Sequence, residues 1–164
     1  MPITSKRLCD RKQDTSVQTI GDIMTHPVTT VRMDDYVKTI QRIFEETGFN
    51  HLVVKKVKKP VGVISIRDLL RNLSPFIGNA LMERSQDLNT LRKCAHQIMH
   101  RDLVTVQEHV ALIDAGELLL SNRVTCLPVV DGEGHLRGIV TWRDLLPLCF
   151  NCELPQNDTA EDAA

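Results

Sequence analysis

The chain has 164 residues, 42% hydrophobic and 25% charged, with a formal net charge of −1. That is ordinary globular composition with length enough for a core, and the near-zero charge argues against nucleic acid or an acidic membrane as partner. No apolar run approaches the roughly 20 residues of a membrane span, Met1 to Asp10 has no apolar signal core, and five irregularly spaced cysteines make no disulfide framework; the expected setting is the reducing cytoplasm.

In chain order, residues 1–16 read as a mobile polar arm. Residues 17–73 form a first unit, 74–93 a linking segment, 94–150 a second unit, and 151–164 an acidic tail expected to be disordered. The first unit opens with a Val- and Thr-rich strand over Val28 to Val31. Asp34-Asp35 offers a cap for the next helix, whose apolar residues Val37, Ile40, Ile43 and Phe44 recur at helical spacing. Gly48 can end that helix. Leu52-Val53-Val54 and Val61 to Ile64 then pair as a hairpin around Lys55 to Pro60. A second helix opens at Ser65, where Ser-x-x-Asp reads as a capping pattern. In the linking segment Leu81, Leu88 and Leu91 give a modest apolar face.

The second unit repeats the plan about 75 residues later. A strand covers Leu103 to Val106, with Gln107-Glu108-His109 as the capping break. Leu112, Ala115, Leu118 and Leu119 mark the helix, with Asn122-Arg123 at its end. Leu127 to Val130 and Leu136 to Val140 flank the turn Asp131-Gly132-Glu133-Gly134. Thr-x-x-Asp at Thr141 opens the last helix, which Pro147 is expected to shorten or kink. The fold read from this pattern is α/β: two pseudo-symmetric βαββα units.

The matching is residue by residue. Gly62-Val63-Ile64-Ser65-Ile66-Arg67-Asp68-Leu69-Leu70 returns as Gly138-Ile139-Val140-Thr141-Trp142-Arg143-Asp144-Leu145-Leu146. Ile23-Met24 before Thr30-Val31 returns as Ile98-Met99 before Thr105-Val106. With the Leu-Pro-Val-Val-Asp stretch Leu127 to Asp131, these residues make the chain resemble a tandem pair of CBS domains, the regulatory module named after cystathionine β-synthase. The resemblance runs from about Ser16 to Leu148. It implies two units packed sheet to sheet, with clefts between them.

It also implies a site in each cleft. The Asp would hold the ribose of an adenosine compound, and the hydroxyl and nearby basic groups would meet phosphate. Carried over, Ser65 with Asp68 makes one site and Thr141 with Asp144 the other. Arg67 and Arg143 offer forked donors for phosphate. Adenine would lie against Val28, Thr29 and Val104, and near Leu52 or Leu127 and Pro128. AMP, ADP, ATP and S-adenosylmethionine all fit, and no residue selects among them. No cofactor is required, and the family also implies a homodimer and an effector protein. The first unit departs from the family where Val53-Val54-Lys55-Lys56 replaces Pro-Val-Val-Asp.

Other readings stand beside this one. Ser/Thr-x-x-Asp is equally the signature of a plain helix cap, which leaves a ligand-free interaction module. Cys149 and Cys152 form a single CxxC, half a zinc site at most, and one placed after a helix instead of at its start. Lys55, Lys56, Lys58 and Lys59 read as a solvated hairpin tip that could attract phosphate or an acidic partner. His96 and His100 are four apart, but no carboxylate accompanies them in sequence. Trp142 reads as packing or as a cover for the cleft. No nucleophile elbow, Gly-rich phosphate loop or carboxylate pair points to an enzyme.

Overall fold

Each repeat folds into a three-stranded sheet carrying helices. The computed structural model describes residues 19–78, 81–82 and 84–150. In the first repeat β1 (Thr30–Arg32) lies parallel to β2 (His51–Lys56), which is antiparallel to β3 (Lys59–Ser65). α1 (Val37–Thr47) links β1 to β2, and α2 (Ile66–Asn72) follows β3. After α3 (Ser85–Leu91) and the short α4 (Ala95–Ile98) the plan returns. β4 (Val106–Gln107), α5 (Leu112–Asn122), β5 (Cys126–Val130), β6 (Leu136–Thr141) and α6 (Trp142–Phe150) repeat it, with the same strand order and directions. The α/β pair of βαββα units read from the sequence is the fold of the chain. Among the described residues no helix is long and apolar enough to cross a membrane.

Period-two alternation divides each sheet between two cores. Leu52, Val54 and Ile64 face the helices, where they pack with Val37, Ile40, Phe44 and Leu69. Leu127, Val129 and Val140 do the same with Ala115, Leu119 and Leu145. The intervening Val53, Val63, Cys126 and Ile139 point the other way and meet each other, closing the two sheets face to face. The helical faces expected from spacing are therefore the buried ones. Gly48 ends α1 in the left-handed region at φ 66°, and Arg123 ends α5 at φ 55°. Trp142 packs against the second helix-side core.

Five local expectations change. Asp35 does not cap α1: its carboxylate accepts from the Arg32 amide at 2.7 Å. The α1 N-cap is Tyr36, without a side-chain bond, because the Lys93 carbonyl takes the Val37 amide at 2.8 Å. Likewise Ala111 precedes α5 with no side-chain cap. The lysine-rich turn shrinks to Val57-Lys58, since β2 and β3 extend to Lys56 and Lys59. α6 continues past Pro147 to Phe150. Leu81 and Leu88 are exposed and bury no face of the linking segment.

The two repeats also exchange their leading segments, which local pattern does not reveal. The segment before β1 is bonded to the second repeat. The Ile20 and Gly21 amides donate to the Val110 and Glu108 carbonyls at 2.9 and 2.8 Å, and Thr25 forms an antiparallel bridge with Ile139 on β6. Ile20 has no exposed surface and belongs to the second helix-side core. Reciprocally, the Ala95 amide donates to the Asp35 carbonyl at 2.8 Å, and His100 bridges Val63 on β3. Ala95, Ile98 and Met99 belong to the first helix-side core.

This exchange gives the repeated glycines their role. A Cβ on Gly138 would lie 2.9 Å from Met24 Cγ, and one on Gly62 would lie 2.9 Å from Met99 Cγ. Each glycine lets the other repeat's methionine close onto the strand. Gly138→Ala is therefore expected to destabilise the fold by about 1–3 kcal/mol through overpacking. In urea unfolding, Met24→Ala combined with it should cost less than the sum of the two single changes; strict additivity would mean that the glycine serves something other than this contact.

Candidate functional site

The two Gly-x-x-Ser/Thr-x-x-Asp motifs end β3 and β6 and begin α2 and α6. The Ser65 amide and hydroxyl both donate to Asp68 Oδ2, at 2.9 and 2.5 Å, and the Asp68 amide donates back to Ser65 Oγ at 3.2 Å. This reciprocal cap satisfies amides that the helix start leaves open. The Thr141 amide and hydroxyl likewise donate to Asp144 Oδ2, at 2.7 and 2.8 Å. There the Arg143 amide, not that of Asp144, donates to Thr141 Oγ1 at 3.2 Å. Each Asp is thus bound to its own cap through one carboxylate oxygen, Oδ2.

The two motifs differ at the other carboxylate oxygen. Asp68 is the buried acid of the described residues, and its Oδ1 accepts from His100 Nε2 at 2.9 Å. Burial works against the Asp68 charge, but the Ser65 hydroxyl and amide and the His100 ring outweigh it and hold the carboxyl below its usual range. Across β2–β3, His51 stands opposite Ser65 and its Nε2 lies 2.8 Å from Thr125 Oγ1 of the other repeat. Burial pushes the His51 pKa down, partly offset by the Asp68 charge. No described side chain reaches Asp144 Oδ1.

The remaining expected site residues are dispersed. Arg67 and Arg143 are exposed beside the caps, and Thr29 is half-buried. Val28 packs at the sheet-to-sheet junction, and Val104 packs against the second helix-side core. Pro128 is buried on β5 opposite Ile139. Leu52 and Leu127 have no exposed surface and face the helix-side cores, so neither presents a wall to a cleft. A groove of about 360 Å³ does run between the repeats, but at the hairpin end. Pro27, Val28, Lys55, Lys58, Leu136 and Arg137 help line it, and of the expected site residues it includes Val28 alone. The lysine hairpin is docked there: the Leu136 amide donates to the Lys58 carbonyl at 2.9 Å.

His100 and His51 are the site residues that sequence reading missed. Aligning the repeats places His100 opposite Thr25, directly after the shared Ile-Met, and that mismatch was the available signal. Of the cysteines, Cys126 is buried, and its thiol is pushed up to about 12 by that burial. Cys152 lies outside the described residues. Among the described residues no three His, Cys, Asp or Glu side chains gather as a metal cluster.

Comparison with known proteins agrees with this layout. The family profile described as CBS domain matches residues 20–75 and 95–150. The chain is 28% identical over 127 residues to the uncharacterized protein MJ0188 of Methanocaldococcus jannaschii, covering 77% of this chain and 42% of that one. The chain spans about half the length, or less, of the first curated relatives it matches. The structure of CBSX2 in complex with AMP superposes with TM-score 0.66 at 30% identity, covering 81% of this chain and 96% of that one. The cytosolic domain of the Mg2+ channel MgtE in complex with ATP superposes with TM-score 0.62 at 26% identity, covering 80% and 48%.

His51 and Asp68, the shifted groups at the first cap, each make stability fall toward acid, in two stages. His51 has a lowered folded pKa, so the unfolded chain takes that proton first as pH drops through about 6.5. Asp68 also has a lowered folded pKa, so its contribution is complete above about 4 and is lost as pH falls through the folded value. Urea unfolding across pH should show His51→Gln flattening the upper stage and Asp68→Asn the lower. An unchanged pH profile in either variant would contradict the assignment.

Proposed function

The chain belongs to the CBS-domain family, and on that premise we propose that it is a regulatory module that binds an adenosine-containing nucleotide between its repeats. AMP, ADP, ATP and S-adenosylmethionine are the candidates. One observation carries this reading: a carboxylate fixed by its own helix cap at the end of β3 and of β6, beside a segment exchanged from the other repeat. A pinned carboxylate can accept from a ribose diol without further ordering cost, and a ligand there touches both repeats. Solved relatives hold AMP and ATP, which supports the adenosine class. Arg67 and Arg143 would meet phosphate.

The proposed mechanism is linkage. A ligand contacting both repeats favours one relative arrangement by its differential affinity, and an effector protein reads the result. We propose no catalysis, since each hydroxyl is committed to its Asp and to helix-start amides, as in a cap. The exposed Leu70, Ile113, Leu120 and Leu146 on the outer helices are the surface on which a homodimer would form. The free thiols of Cys94 and Cys126 suit a cytoplasmic setting.

A thermal-shift series with the four candidate ligands tests the proposal. A ligand at about 100 times its dissociation constant should add about 2.7 kcal/mol, a rise of several degrees for a chain of this size. The rise should vanish in the Asp68→Ala/Asp144→Ala double variant. No rise with any of them at millimolar concentration would leave the ligand-free interaction module as the better reading.

A further inference from the structure

The two repeats offer chemically different carboxylates, and the difference lies at one pair of equivalent positions. Thr25 bridges Ile139, and His100 bridges Val63, in corresponding places of the two repeats. Where the second repeat receives a threonine, the first receives an imidazole. That imidazole ends 2.9 Å from Asp68 Oδ1.

An ionised carboxylate has about four lone-pair directions, two on each oxygen. At Asp68, Oδ2 already takes two donors from Ser65, and Oδ1 takes the His100 N–H. The Asp68 side chain retains only 9% of its exposure, while that of His100 retains 71%. The imidazole therefore stands on the solvent approach to the carboxylate. A vicinal diol needs two acceptor directions and finds at most one. At Asp144, Oδ2 is filled in the same way by Thr141. Its Oδ1 has no donor among the described residues, so two directions are open to a diol.

We propose that His100 is an internal occupant of the first cleft, so that each chain binds one nucleotide, at Asp144, and none at Asp68. This rests on the nucleotide reading above and refines it to one cleft and one gating residue. The ligand class is a molecule carrying a ribose cis-diol. His100 acts as a positioning and specificity residue: it completes the hydrogen bonding of Asp68 and excludes the diol. Because its ring is largely exposed, replacing it should remove the occupant without opening a core.

Calorimetric titration with AMP, on the whole chain, tests this. The wild-type protein should bind one AMP per chain. Asp144→Ala should weaken binding by about tenfold or more, the loss of bonds to a charged acceptor. His100→Thr, which copies the second repeat, and His100→Ala should each raise the stoichiometry from one to two. The added site should disappear on adding Asp68→Ala. Two AMP per wild-type chain would overturn the gating role while leaving nucleotide binding intact. Unchanged stoichiometry in both His100 variants would overturn it as well. No AMP binding to any variant would remove the nucleotide reading and the gating role together. A ligand-independent check is the long-range ¹H–¹⁵N spectrum of His100, which should show the proton on Nε2 in the wild type and lose that preference in Asp68→Asn.

Discussion

The reciprocal exchange of leading segments is the constraint on which the rest of this structure depends. Each repeat takes part of its core from chain that precedes the other: Ile20 for the second repeat, and Ala95, Ile98 and Met99 for the first. Burying an aliphatic side chain of this kind contributes about 1.5–3 kcal/mol, so neither sheet is complete alone. The methionines that follow press onto Gly62 and Gly138, where any side chain would collide. A repeat that cannot finish its own core has to pack against its twin, and the sheet-to-sheet junction of Val53, Val63, Cys126 and Ile139 follows from that.

The same exchange carries residues to the sites. Because the leading segment of each repeat lies along the last strand of the other, whatever follows Ile-Met lands near the opposite Ser/Thr-x-x-Asp cap. Thr25 and His100 arrive there by the same backbone path. The caps are rigid because their hydroxyls and carboxylates satisfy one another and the helix amides. A rigid acceptor beside a junction between two bodies is what linkage requires: a ligand that bridges them can shift their arrangement only by preferring one. In the proposed reading Asp144 has two uses, helix cap through Oδ2 and ligand acceptor through Oδ1.

Much of this was legible from residues alone. Spacing identified the buried faces of α1 and α5, because amphipathic period is a local property. The Ser65–Asp68 and Thr141–Asp144 caps were legible for the same reason, as was Gly48 at a helix end. What was not legible is non-local. Asp35 looked like a cap, yet the Val37 amide is satisfied by Lys93, more than fifty positions away in the chain. Leu127 looked like a cleft wall, but strand alternation points it into the helix-side core, and the face it occupies depends on which sheet side meets the twin. His100 seemed to lack a carboxylate because its partner precedes it by 32 positions. Only the exchange brings them together.

In the proposed reading, ligand engages the Thr141–Asp144 cap together with the exchanged segment of the first repeat. The most direct measurement is amide chemical-shift mapping during titration with AMP. The largest changes are expected at Thr141 to Asp144 and, at the same ligand concentration, at Thr25, His26 and Val28. Changes confined to the Lys55–Lys58 hairpin groove, or a saturating titration that leaves the Asp144 amide unmoved, would contradict it.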